Sequence, residues 1–332
     1  MMSDAPKTPK GRPDAIKTVN GKPLPGSAPK SAPGKPRAVT GKVQARTRPD
    51  ALPMPANRSV SAFAPASVME KYNADAAGIR PASLEMGDNI ITMFDIIGED
   101  FWTGGGITAK RVSQQLRAIG DRPVEVQINS PGGDMFEGIA IYNVLREHPQ
   151  EVTVKVMGMA ASAASIIAMA GDTIEIGSAS FLMIHKCWVV AAGNEDDMRD
   201  VADFLAPFDT AMADVYAQRS GRGAEECANW MRAETYMSGT VAIERGFADK
   251  LLPSDQTKVD DEAKAQDQAT NEVRAVELAL VAGGATRSQA RARINSIKGT
   301  PGAAPDPADT PGAGGDPGLM AAMQSLLDDF RN

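Results

Sequence analysis

Val152-Thr153-Val154-Lys155-Val156-Met157, followed by Gly158-Met159-Ala160-Ala161-Ser162-Ala163-Ala164-Ser165, decides how this chain folds. The first six residues are rich in β-branched side chains and predict a strand. The small residues after them allow a tight passage into a helix, predicted over Ala161 to Ala170. A strand that feeds directly into a helix is the repeating step of an α/β protein.

The same alternation continues outward from this stretch. Upstream, Asn89 to Ile96 predicts a strand and Thr108 to Ile119 a helix. Val124 to Asn129 predicts a short strand ending at Ser130-Pro131-Gly132-Gly133. Met135 to Glu147 follows as a helix, with Ile139, Ile141, Val144 and Leu145 as its apolar positions. Downstream, Thr173 to Ile176 and Phe181 to Ile184 predict strands. Asp196 to Ser220 predicts one long helix and Ala224 to Arg232 another. Repeated β and α segments imply a mostly parallel sheet with helices on its faces.

The two ends differ from this core. Residues 1–58 contain twelve Lys and Arg against three Asp, a net +9, so residues 59–332 hold −16 of the total −7. They have almost no large apolar residues and predict a disordered basic arm, with nucleic-acid contact as one role and plain solubilisation as another. Residues 254 to about 270 are polar and predict a linker, with a short helix from Glu272 to Val281. Thr286-Arg287-Ser288-Gln289 predicts a capping box for a second short helix ending at Ile297. Residues 299–332 predict a flexible tail closed by an amphipathic helix carrying Leu319, Met323, Leu326, Leu327 and Phe330.

The N-terminus has no apolar signal segment, and Met157 to Gly171 is too short and alanine-rich to span a bilayer. The expectation is a soluble intracellular protein without membrane contact. Cys187 and Cys227 offer no disulfide framework and are expected as buried thiols. No CxxC, HExxH or GxxxxGK[ST] occurs, so no zinc site, cofactor or ATPase motor is expected.

The chemistry concentrates on few residues. Ser162 follows a strand and opens a helix, which places backbone N–H groups beside its hydroxyl. A serine needs a base to take its proton and donors for the oxyanion. The chain has two histidines. His148 lies at a polar helix end, whereas His185 follows the apolar Met183-Ile184 and is the better base. Ser165, three residues past Ser162, is expected to pack. A carboxylate must orient the imidazole. Spacing leaves Glu234, Asp200 and Asp203 open, while Glu195, Asp196 and Asp197 are expected to cap the long helix.

Taken in order, Ile128-Asn129-Ser130-Pro131-Gly132-Gly133, Gly158-Met159-Ala160-Ala161-Ser162, Met183-Ile184-His185 and Glu234-Thr235-Tyr236-Met237-Ser238 carry a family resemblance. Across roughly residues 87–253 the chain resembles the Clp-type (ClpP-like) serine peptidases, nearest to the phage head-maturation (prohead) proteases. The resemblance implies an α/β, ClpP/crotonase-like superhelix of repeated ββα units, with the helix from Asp196 as a protruding handle. The peptidase domain would span 59–253. The resemblance implies Ser162 as nucleophile, His185 as general base, and the backbone N–H groups of Gly132 and Ala163 as the oxyanion hole. The family's triad aspartate precedes a serine by four residues, and Glu234 holds that place. Its extra methylene requires a shifted backbone or rotamer.

The function implied is an ATP-independent serine endopeptidase, without cofactor, that cleaves capsid and scaffold proteins during phage head maturation. It would form a homo-oligomeric ring, with the major capsid protein and scaffold as partners, inside the assembling prohead in the host cytoplasm. Two other readings share these features. One is a catalytically inactive scaffolding or assembly protein on a ClpP-like core. The other is a crotonase-like acyl-CoA enzyme, which shares the fold and the two-amide oxyanion hole.

Overall fold

A computed structural model of the 332-residue chain describes residues 18–19, 22–23, 61–82, 87–253 and 256–298. It separates into two compact units, Met1–Gln44 and Ala45–Asn332. In the first unit, β1 (Thr18–Val19) and β2 (Lys22–Pro23) form an antiparallel pair. The rest of the basic arm expected over 1–58 lies outside the described residues, as does the tail expected over 299–332.

The second unit opens with β3 (Ser61–Ala62), α1 (Ala66–Asp75) and β4 (Ile79–Pro81). The alternating core then begins with β5 (Ile90–Met93), α2 (Ala109–Ile119), β6 (Val124–Ser130) and α3 (Met135–Arg146). It continues through β7 (Val152–Ala161), α4 (Ala163–Ala168), β8 (Thr173–Gly177), β9 (Phe181–Ile184) and β10 (Val189–Val190). The long α5 (Glu195–Ser220) and α6 (Ala224–Arg232) follow. β11 (Thr235–Ser238), α7 (Gly239–Glu244) and β12 (Lys250–Leu252) complete the sheet.

β5, β6 and β7 pair in parallel. Residues 153–156 of β7 pair with β8, and residues 159–161 pair with β9. This long strand therefore serves two neighbours in succession on one edge, and β11 closes the far side of β9 in antiparallel register. The fold is α/β with a mainly parallel sheet, as the resemblance implies. Val126, Ile128, Val154 and Val156 are fully buried at alternate positions, which turns one face of β6 and β7 to the core, while Glu125, Thr153 and Lys155 on the other face are half-buried.

Local sequence sets the helix ends. The Asp134 carboxylate accepts from the Phe136 and Glu137 amides and starts α3. Asn194 and Asp197 form a capping box on α5, and Gly221 ends that helix in a left-handed conformation. The acidic run Glu195–Asp197 thus lies in the first turn, where the helix dipole favours it.

The expected linker over 254–270 is corrected by the structure. β13 (Thr257–Val259) pairs antiparallel with β4, and α8 runs from Asp261 to Ala282 rather than from Glu272. Composition suggested a linker because the side chains are polar, but those groups are satisfied against the core. Arg80 pairs with Asp267 at 3.1 Å, and Asp267 also accepts the Gly78 amide. Asn271 Nδ2 donates to Asn73 Oδ1 at 2.7 Å. Farther along α8, Arg274 pairs with Asp95 and Asp100, each at 2.6 Å. The Thr286/Gln289 capping box is present ahead of α9 (Arg287–Lys298). No helix among the described residues is long and apolar enough to cross a membrane.

Candidate active site

β6 and β7 end side by side and build the site between them. At the end of β6, Asn129 interrupts the ladder and is fully buried. Its side chain donates to the carbonyls of Ala76 and Ile79 and accepts the Met159 amide at 3.0 Å. One amide thus ties the segment after α1, the end of β6 and the last residues of β7 together.

The next loop presses against Ser162. Gly132 has φ +89, and a Cβ placed there would lie 2.5 Å from the Ala161 carbonyl oxygen, 2.7 Å from Ser162 Cβ and 3.0 Å from the Ala163 nitrogen. Only glycine fits both the conformation and the space. Gly132 and Ala163, whose amides are expected as oxyanion donors, thus lie close together beside Ser162. The Gly132 amide also donates to Ser130 Oγ at 3.1 Å.

Ser162 sits at the strand-to-helix junction with φ +54 and ψ −124. This left-handed backbone at a non-glycine residue is a strained turn that lifts the hydroxyl out of the sheet. The Met183 carbonyl holds it by accepting the Ser162 amide at 3.0 Å. Ser165 packs as expected. Its hydroxyl donates to the Ser162 carbonyl at 2.6 Å and contacts Tyr216 Oη at 2.7 Å.

His185, one residue past β9, is 6% exposed. Its Nε2 lies 2.6 Å from Ser162 Oγ. Burial pushes the imidazole pKa down to about 4, against the opposing pull of the Asp209 carboxylate. At neutral pH the ring is therefore uncharged. In the tautomer that carries its proton on Nδ1, Nε2 accepts from the serine hydroxyl and can receive its proton.

Of the expected carboxylates, Glu234 comes nearest His185, while Asp200 and Asp203 lie on α5. The β9–β11 register pairs Ile184 with Thr235, which sets Glu234 beside His185 along the backbone. Glu234 takes φ +48 and is exposed. Its charge acts on Tyr236. Asp200 and Asp203 are exposed on the first half of α5. The carboxylate whose charge acts on His185 is Asp209, absent from the sequence-based candidates. Its sequence signal is helical spacing: Asp209 shares a face of α5 with the buried Ala213 and Tyr216.

A strained serine engaged by a buried neutral histidine, on the rim of a parallel sheet, is an arrangement able to support nucleophilic attack by the serine hydroxyl. The Clp protease family model matches residues 106–255, a span that holds Ser162, His185 and Gly132 together. The chain is 29% identical over 140 residues to the ATP-dependent Clp protease proteolytic subunit of Deinococcus radiodurans, covering 42% of this chain and 68% of that protein. It is 28% identical over 158 residues to the ATP-dependent Clp protease proteolytic subunit 1 of Prochlorococcus marinus, covering 46% and 81%. These matches support a ClpP-like serine peptidase core.

Proposed function

We propose that the chain is a serine endopeptidase that cleaves capsid and scaffold proteins during phage head maturation, using Ser162 as nucleophile and His185 as general base. The 2.6 Å contact between Ser162 Oγ and His185 Nε2 carries this reading. Ser162 Oγ attacks the peptide carbonyl while His185 takes its proton. The oxyanion forms beside the Gly132 and Ala163 amides. The C–N bond then breaks as His185 returns the proton to the leaving amine. Water, deprotonated by the same imidazole, releases the acyl group and restores Ser162.

The phage assignment rests on the four sequence motifs in order and on the two long extensions. The basic arm over 1–58 and the tail over 299–332 suit a protease delivered into an assembling shell, the tail by docking to capsid protein. A homo-oligomeric ring, ATP independence and a location inside the prohead in the host cytoplasm belong to the same proposal. A cavity of about 310 Å³, bounded by Phe63, Ile97, Gly133 and Asp134, adjoins the Gly132 loop and offers room for a substrate side chain.

A fluorophosphonate probe should label the purified chain, with the adduct mapping to Ser162. Ser162→Ala and His185→Ala should each abolish labelling and the cleavage of co-expressed capsid protein seen by mass spectrometry. Cleavage that survives Ser162→Ala would sink the assignment of the nucleophile.

A further inference from the structure

We propose that Asp209 on α5 is the positioning carboxylate of the Ser162–His185 pair, fixing the backbone that carries the imidazole and balancing the charge that develops on it. The inference rests on the reading of Ser162 and His185 as the reacting pair.

The geometry is local and specific. Asp209 Oδ1 accepts the Cys187 amide at 2.7 Å. Asp209 Oδ2 pairs with Lys186 Nζ at 2.9 Å, and the side chain is only 15% exposed. One carboxylate therefore grips both residues that follow His185. The strand ladder of β9 ends at Ile184, so this grip fixes the chain where regular pairing stops. A misplacement of about 1 Å at such a pair costs about 10²-fold in rate.

The electrostatics point the same way. The titratable groups nearest His185 are Asp209 from α5, Lys186 and Cys187 from its own segment, with Cys187 acting in turn on Tyr216, and Glu234 just ahead of β11. Burial and then Asp209 push the Cys187 thiol well above its ordinary value, so it stays neutral. Burial does the same for the Tyr216 hydroxyl. Lys186 is held by Asp209 itself. Glu234 points to solvent. Asp209 is thus the anion positioned to favour the imidazolium that forms when Ser162 gives up its proton. Apolar burial of His185 otherwise opposes that charge.

The test compares labelling rate and its pH dependence in wild type, Asp209→Asn, Asp209→Glu and Glu234→Gln. Asp209→Asn should slow labelling about 10²-fold. Removing the anion lowers the imidazole pKa, so the acid limb should also move to lower pH. Asp209→Glu, which retains the charge, should return the acid limb toward wild type. Glu234→Gln should lose less than Asp209→Asn. A role confined to folding would lower the labelled fraction without moving the acid limb. If Asp209→Asn fails to fold, Lys186→Met decides. Freeing the carboxylate of its cation should raise the imidazole pKa and shift the acid limb upward, and an unmoved limb overturns the proposal. Wild-type rate and profile in Asp209→Asn, with the adduct still on Ser162, would overturn the role of Asp209 alone. An adduct that persists in Ser162→Ala would instead overturn the underlying reading of the site.

Discussion

Ile128 and Val156 are sealed from solvent at the centre of the sheet, and Ile167 in α4 is sealed with them, whereas α8 adds the charged contacts of Asp267 and Arg274 to its buried Val273 and Val276. The first region carries Ser162 and His185. The second approaches them from outside: Arg274 anchors Asp95 and Asp100, in the loop beyond β5 that runs beside Gly133. Apolar burial is non-directional and sets overall stability. Charged contacts are directional and fix a segment in one place, at the cost of depending on every partner. The centre of the sheet is held by apolar burial, whereas the loop beyond β5 is tied to α8 both by the paired charges of Arg274 and by Trp102 packed against the apolar face of α8.

Gly132→Ala should produce the largest effect. The added Cβ would meet the Ala161 carbonyl and Ser162 at once, in a conformation that disfavours alanine. Displacing an oxyanion donor costs about 10²–10³ in rate. Labelling of Ser162 should fall by about that factor, and near-normal labelling would break the picture of a tightly packed sheet rim. Arg274→Ala should come next, destabilising the protein by about 3–5 kcal/mol in urea titrations, because it leaves the Asp100 carboxylate buried and short of its cation. Burial raises the Asp100 pKa, but Arg274 and Thr103 overcome it and hold the carboxyl below its ordinary value. Its stabilising share is therefore present above the ordinary carboxylate pKa and fades as pH falls through the lowered one. The gap between wild type and Arg274→Ala should close over that same acid range. Arg199→Ala, which removes an exposed pair with Glu195, should change stability by no more than about 0.5 kcal/mol. A larger loss would mean that surface charge, too, holds the helices in place.

The sheet and its helices were legible because burial imposes a period on the sequence. β6 and the first half of β7 alternate apolar and polar residues, and α6 begins and ends at the residues its spacing predicts, Ala224 and Arg232. The first half of α8 was not legible. Asp267, Gln268 and Asn271 look like solvated linker residues until Arg80 and Asn73, nearly two hundred positions away, satisfy them. Ser162 and His185 were legible from order and rarity, and the structure joins them by a hydrogen bond. Asp209 was not, because the acidic run from Glu195 to Asp203 draws attention to the exposed half of α5. Its position on the buried face becomes visible only when the helix is phased against Phe208, Met212 and Tyr216.

The most direct measurement of the central claim is the pH dependence of single-turnover labelling at Ser162. A buried, neutral imidazole in contact with Ser162 Oγ predicts an adduct on Ser162 whose formation rate falls with an inflexion near pH 4. An inflexion at the ordinary histidine value of about 6.5, or an adduct on another residue, would contradict it.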